Sequence, residues 1–343
     1  MSGGRSQWLV KDYIKMRILY IIGNGLDIAH HLNTSYQDFF NYYLSLLTTD
    51  GDIIDMKNDI KGQRYETWAD LEMGLGAYSS KCANKEVFLK CLLDIKENLT
   101  EYLKKESQKI GLYEISSIDA FLNPSLFFEP EPQTRYDSFC NRKSAGKKID
   151  IITFNYTTTL ELLLGFKNNT PLQLTSMSVL NSIQHIHGTL TDMMVMGVND
   201  SSQIANTTFN TDMDIVEDFI KPEYNDACLN NKNRICESII QNAEIIVLYG
   251  TSLGFSDDKW WKFIGKRMEY DDYPLLTYLP FDEKKDPQTA PNRLRRWTME
   301  YVREVRNKFG ITLDEKGLAE RMCIALNKRL FPIKKVAQQP ITR

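Results

Sequence analysis

Residues 16–40, MRILYIIGNGLDIAHHLNTSYQDFF, decide the reading of the fold. Within them RILYIIG (17–23) is a short β-branched and aromatic run stopped by glycine, which predicts a buried strand. After the Gly23-Asn24-Gly25 turn, Tyr36, Phe39, Phe40, Tyr43, Leu44 and Leu47 recur at helical spacing, with Thr34 or Ser35 placed to cap that helix. A glycine pair after a strand lets the backbone turn tightly and approach a phosphate with no Cβ in the way. Position 28 is Ile, so the third glycine of G-x-G-x-x-G is missing and the dinucleotide fingerprint is incomplete. By itself Gly-x-Gly fits a phosphate loop and a plain strand-to-helix corner about equally well.

Working outward, the strand signature recurs. IDIITFN (149–155) runs into a polar turn and a helix over about 157–164, and IQHIHG (183–188) alternates faces and ends in glycine. MMVMGV (193–198) reads as another strand, EIIVLYG (244–250) as a buried strand stopped by glycine, and PLLTYL (274–279) as the last. Helical spacing marks Trp68, Leu71, Glu72 and Leu75, then 84–107, 229–242, 257–269, 288–307 and 315–328. Residues 50–63 and 199–213 are polar and 129–148 is rich in proline and charge, so all three read as loops.

Short apolar strands alternating with helices predict an α/β fold, a Rossmann-like, doubly wound, mainly parallel sheet covered on both faces. The division that follows is a disordered leader (1–15), a core from 16–50 and 149–280, a helical insertion or subdomain (51–148), and a C-terminal helical segment (281–343). That last segment is basic, with 15 Lys/Arg against 8 Asp/Glu, while the whole chain carries a net charge of −3. Such a balance offers no broad attraction to nucleic acid or an anionic membrane. At 343 residues, 42% apolar and 25% charged, the composition is that of a soluble globular protein. No apolar run approaches the roughly 18 residues that span a bilayer, and the first residues lack the apolar stretch of a signal peptide. The six cysteines are scattered without a C-x-x-C pair, which argues against a disulfide framework or a structural zinc and predicts a reducing, cytoplasmic location.

In open α/β sheets ligands bind beyond the carboxyl ends of the strands. The polar residues of this chain fall at such ends: Gly23-Asn24-Gly25, Asn155, His187-Gly188 and Gly250-Thr251-Ser252. Adjacent His30 and His31 point in different directions and read as loop polar residues. His185 and His187, two apart on a strand, would share a face and could chelate a metal with Asp192 as a distant third ligand. No set is completed, so no metal is expected. His187 at a strand end suits acid–base work better, and Asn155 can fix a water or a ribose hydroxyl. GTSLGFSDD offers hydroxyls and open amides for a phosphate or ribose, or is a plain junction with Ser256 capping a helix from Asp257. Trp260 and Trp261 read as core, while Trp68 and Glu72, one turn apart, either buttress the site or pack and cap. The absence of G-x-S-x-G, P-loop and H-E-x-x-H patterns removes the common serine-hydrolase, NTPase and zinc-protease readings.

Five blocks, IIGNGLDIAHHLNTSYQDFF, WADLEMGLG, TFNYTTTLE, IQHIHGTL and IVLYGTSLGFSDDKWW, lie in order between about residues 17 and 270. As a set they resemble the bacteriophage abortive-infection AbiH family, which is similar in turn to the SIR2-like fold, whose members bind NAD. The resemblance implies that Gly23, Asn24, Gly25 and Asp27 form a pyrophosphate loop, that Asn155 and His187 (followed by Gly188) do the chemistry, and that Gly250, Thr251 and Ser252 take the adenosine side. It implies NAD as substrate or ligand and cleavage of its nicotinamide–ribose bond by water, in antiphage defence. The chain departs from the wider pattern at Asn24, where alanine is usual, at Asp27, where a small hydroxyl is usual, and at Thr157, where aspartate is usual. His31 stands where many AbiH sequences have glycine. The missing four-cysteine zinc ribbon argues against protein deacetylation. Two other readings stay open, a non-catalytic nucleotide-binding sensor and a metal-dependent nuclease acting through His185 and His187. The partner implied is a small-molecule nucleotide, with no membrane and no direct nucleic-acid contact. Homo-oligomer formation and a phage-derived trigger are not legible in the residues.

Overall fold

A computed structural model describes residues 15–63, 65–142, 146–228 and 231–335. The predicted leader, apart from Lys15, lies outside the described residues, as do 143–145 of the predicted 129–148 loop and the first two residues of the predicted 229–242 helix. The strands in chain order are β1 (Met16–Ile22), β2 (Tyr113–Ile115), β3 (Lys147–Thr153), β4 (Leu172–Thr175), β5 (Ser178–His185), β6 (Ile245–Tyr249), β7 (Leu275–Leu279), β8 (Met322–Ile324) and β9 (Ile333–Lys335). Seven of them form one sheet in the order β4-β5-β3-β1-β6-β7-β8, parallel throughout except for the β4–β5 pair; β2 and β9 form a separate antiparallel ribbon.

β1 lies at the centre because six of its seven residues are apolar and buried, which suits a strand covered on both faces. Ile18, Tyr20 and Ile22 pack with Phe121, Tyr136 and Phe331 on one face, and Leu19 and Ile21 with Trp261, Ile264 and Phe309 on the other. On the second face Trp261 stacks on Phe309 at 5.8 Å between ring centroids. A third apolar cluster is built by the helices Tyr36–Ser45, Gly51–Gln63, Leu71–Tyr78 and Lys85–Ser107 together with Phe209, Ile215 and Phe219. Ser35 caps the first of these helices by accepting from the Asp38 amide, one of the two caps the sequence allowed.

Five expectations are corrected. Residues 50–63 are not loop: Gly51–Gln63 is helical, and its Ile53, Met56 and Ile60 fall on one buried stripe that the intervening Asp, Lys and Asn residues obscure. The 129–148 stretch holds the helix Pro130–Cys140, whose prolines sit in the first turn where no intrahelical N–H is needed. MMVMGV is not a strand; all but Met193 are buried, but Val195 N–H donates to the His187 carbonyl and Val198 N–H to that of Phe219, so the segment has no continuous ladder. The predicted 315–328 helix ends at Glu320, and Met322–Ile324 instead adds β8 beyond β7, which is therefore not the last strand. Finally, Ser256 does not cap the helix Asp258–Met268; residues 255–257 form a 3-10 turn leading into it.

Register sets up the site. Ile22 pairs with Thr153 on one side and with Tyr249 on the other; Thr153 pairs with His185 and Tyr249 with Leu279. The carboxyl ends are therefore level, and the residues that follow them emerge along one edge of the sheet. From β1 the chain steps to β3 and then β5, and later returns to β6 on the opposite side of β1. The winding direction reverses between β1 and β6, the kind of switch point where open α/β sheets leave a crevice.

Candidate active site

The two glycine loops at this switch point are packed against each other. Gly23 N–H donates to the Tyr249 carbonyl at 3.0 Å and Gly25 N–H to the Gly250 carbonyl at 2.7 Å. A Cβ on Gly25 would lie 2.6 Å from the Gly250 Cα, and one on Gly23 2.7 Å from the Gly250 oxygen. Gly250 itself has φ +65°, a left-handed conformation that glycine adopts without steric cost. These glycines thus serve loop-to-loop contact, and two of their amides are already engaged. The Asn24 side chain donates from Nδ2 to the Thr34 carbonyl and accepts the Thr34 hydroxyl, tying the turn to the segment before the next helix.

Above the loops lies a cavity of about 590 Å³. Of the ten residues singled out in the sequence, nine line it: Gly23, Asn24, Gly25, Asp27, Asn155, His187, Gly250, Thr251 and Ser252. Gly188 does not. It turns the chain behind His187 at φ +73°, and a Cβ there would lie 1.9 Å from the Met193 oxygen.

His187 belongs to a buried charged group that the sequence did not reveal. Its Nε2 is 2.7 Å from Asp257 Oδ1; Lys221 Nζ donates to the same oxygen at 3.1 Å and to the Ser256 carbonyl at 3.0 Å, and lies 3.5 Å from His187 Nε2. Burial disfavours the charged form of Asp257, but the Lys221 cation and the Nε2–H of the His187 imidazole beside it outweigh burial and hold its carboxyl well below the usual range. Burial and then Lys221 push the His187 pKa down, against the opposing pull of Asp257. Lys221 stays charged: burial works against it, and Asp257, Glu72 and Asp70 more than compensate. A carboxylate accepting at Nε2 assigns the imidazole the Nε2–H tautomer, which leaves Nδ1 as a lone-pair acceptor. That Nδ1 is buried with no protein partner. The result is a neutral imidazole fixed in orientation, with its basic nitrogen unengaged.

Asn155 stands two residues past the Thr153–His185 pair on β3, as His187 does on β5, so level strand ends set the two side by side. Both polar atoms of its amide are buried and make no close hydrogen bond, although the amide lies near enough to Asp27 to favour the charged carboxylate. Its backbone carbonyl accepts from His185 Nδ1 at 2.8 Å, while His185 Nε2 is 2.6 Å from Glu161. His185 and His187 are thus committed to different carboxylates, because β5 ends at His185 and the alternation of faces ends with it. They do not form the shared chelating face that their spacing suggested.

Two departures from the wider motif meet in the structure, since the Thr157 hydroxyl donates to Asp27 Oδ2 at 2.6 Å. Burial raises the Asp27 pKa to about 6, with the Thr157 hydrogen bond opposing. Glu72, beneath the helical cluster, accepts from the Tyr36 hydroxyl at 2.7 Å and is 3.5 Å from the Tyr156 hydroxyl. Burial raises its pKa to about 7, with Lys221 opposing. Glu72 lines the cavity and so buttresses the site, whereas Trp68 is core, edge-on to Phe40 at 6.1 Å. Trp260 and Trp261 are core, as expected. His30 is fully buried with Nδ1 2.7 Å from the Leu26 carbonyl; His31 has φ 61°, a left-handed backbone region that favours glycine.

Asp257 and Lys221 escaped the sequence reading. The acidic pair after GTSLGFS was a visible signal for Asp257, obscured by reading it as a helix start; FIKPEY carries no pattern that marks its lysine as buried. All six cysteines are free, and no helix among the described residues is long and apolar enough to cross a membrane. No curated protein matches the chain. The family model for Bacteriophage abortive infection AbiH matches residues 19–277, well over half of the sequence, from within β1 to within β7. The chain therefore belongs to the bacteriophage abortive infection AbiH family, a family of antiphage defence.

Proposed function

We propose that the protein hydrolyses NAD+ to nicotinamide and ADP-ribose in a SIR2-like site, and that loss of NAD+ from the infected host halts phage propagation. The observation that carries this reading is the pairing of an unengaged, oriented imidazole with an unengaged amide, His187 and Asn155, beside a cavity at the β1–β6 switch point. The parallel strands run β5-β3-β1-β6-β7-β8, the order of doubly wound dinucleotide-binding sheets. Gly23–Gly25 and Gly250–Ser252 would border the dinucleotide with bare backbone.

Hydrolysis breaks the bond between ribose C1′ and the pyridinium nitrogen. The bonding pair leaves with nicotinamide, positive charge develops on the ribose, and a water oxygen adds at C1′. His187 Nδ1 takes the proton released from that water, while Asp257 accepts the Nε2–H and stabilises the imidazolium that forms. Burial and then Lys221 lower the His187 pKa beforehand, so the base stands unprotonated at neutral pH. Asn155, able to donate and accept, holds the water or a ribose hydroxyl. Asp27, in its ionised form, stabilises the positive charge that develops on the ribose.

The test is nicotinamide release by the purified protein. Wild type should release nicotinamide and ADP-ribose in equal amounts. Asn155→Ala and His187→Ala should each lower the rate by roughly 10²- to 10⁴-fold, the usual contribution of a positioned acid–base group. Full activity in both variants, or NAD+ binding with no turnover by wild type, refutes the reading.

A further inference from the structure

The cavity has an uneven charge distribution. Asp27 and Glu72 are buried in its wall, Asp257 and Asp70 are partly exposed there and Glu283 is exposed, while the lysines and arginines among its lining residues are Lys328 and Arg329 alone. These two lie beyond residues 19–277, the stretch matched by the AbiH family model. Lys328 is half-buried and Arg329 exposed, and neither is ion-paired with a carboxylate among the described residues.

The dipeptide is clamped on both sides. On one side Asn327, at φ 55°, donates from its backbone N–H to the Pro280 carbonyl at 2.9 Å and from Nδ2 to the carbonyls of Asp282 and Lys285, while its Oδ1 accepts from the Asp282 amide. On the other side Leu330 and Phe331 are buried, and the Phe331 ring packs against Phe121 at 5.0 Å and Tyr249 at 6.3 Å. The backbone that carries the two cations is thus held over the cavity at its β1–β6 side. Consistent with that placement, the Arg329 charge acts on both His30 and Tyr249, on the elements that carry the two glycine loops. The Gly23 and Gly25 amides, the obvious alternative for an anion, already donate to Tyr249 and Gly250.

We propose that Lys328 and Arg329 form the phosphate-binding contact of this site, taking the pyrophosphate of a nucleotide at the cavity mouth while the carboxyl-lined interior receives its uncharged or cationic end. A phosphate pushed deeper meets buried carboxyls; at the mouth it meets an arginine fork and a lysine point charge on a backbone fixed in advance. The inference rests on the nucleotide reading above and names which residues carry the ligand's charge.

Calorimetric titration with ADP-ribose, at low and high salt, tests it on the full chain. Wild type should bind, and its affinity should fall as salt is raised. Lys328→Ala/Arg329→Ala should bind roughly 10- to 100-fold more weakly at low salt, the scale of two charge-assisted contacts, and should lose most of the salt dependence. The exchanged pair Lys328→Arg/Arg329→Lys should recover most of the affinity. If the double alanine variant binds as wild type does, the phosphate assignment fails and the nucleotide reading stands. If wild type binds neither ADP-ribose nor NAD+, the nucleotide reading fails and takes this assignment with it. A double variant whose thermal transition is lost, with the charge-exchanged pair equally weak, also overturns the assignment, because the positions then matter for packing and not for charge.

Discussion

Replacing Gly25 by alanine separates two roles that a glycine turn can play. The added Cβ would stand 2.6 Å from the Gly250 Cα, 2.8 Å from its oxygen and 3.0 Å from its carbonyl carbon. Ordinary contact begins near 3.4 Å, so the two loops must part by close to 0.8 Å, and every atom in the way is backbone. That movement strains the 2.7 Å hydrogen bond from Gly25 N–H to the Gly250 carbonyl and displaces the ends of the two central strands. Overpacking of this kind costs about 1–3 kcal/mol. For a chain of 343 residues that corresponds to a fall in the apparent Tm of about 1–4 °C. Gly254, on the same cavity, is the control: the nearest atom to its Cβ would be 3.5 Å away, and its φ of −61° suits any residue. Gly254→Ala should therefore be neutral or stabilise by up to about 1 kcal/mol through the unfolded chain. Calorimetry without added ligand reads both. An unchanged transition in Gly25→Ala would refute the packing argument and return the glycine to a purely ligand-facing role.

Two further outcomes follow from the buried charges. Lys221→Met removes the cation 3.5 Å from His187 Nε2 and 3.1 Å from Asp257; the His187 pKa should rise, moving the acid limb of NAD+ hydrolysis to higher pH, and the buried Asp257 left without its lysine should cost about 3–5 kcal/mol of stability. Ring NMR of the four histidines, assigned with His187→Gln, reads the titration directly; an unmoved His187 resonance would refute the coupling. For Glu72, the folded-state pKa of about 7 exceeds the ordinary 4.5, so the folded protein binds more protons across that window and loses stability as pH rises through it. Relative to Glu72→Gln, wild type should lose about 3 kcal/mol between the two ends of the window, read from urea midpoints; parallel curves would sink the claim.

The ends of the central strands were readable because a parallel strand buried on both faces must be a continuous apolar run, and such runs stop visibly at Gly23 and Gly250. The elements that escaped have a common physical character. β8 has only three residues, buried within a stretch that also fits a helix, and β4 alternates half-buried with exposed residues at the sheet edge. The Gly51–Gln63 helix buries three residues on a narrow stripe in an otherwise polar stretch. The site divides in the same way. Asn155 and His187 lie two residues past paired strand positions, so local pattern and the level ends of a parallel sheet suffice to bring them together. Their electrostatic partners answer to no such rule. Asp257 reaches His187 across 70 positions, and Lys221 reaches both from a short helix in the region that packs with the helical cluster. A charge is stabilised in the interior by another charge whose place depends on the whole chain path, and neither residue's neighbours in sequence record it. This is also why the double histidine at 30–31 misleads: it is conspicuous in sequence but answers to local backbone needs. His187 is held in the fold by Asp257 from a distant 3-10 turn and Lys221 from a distant short helix.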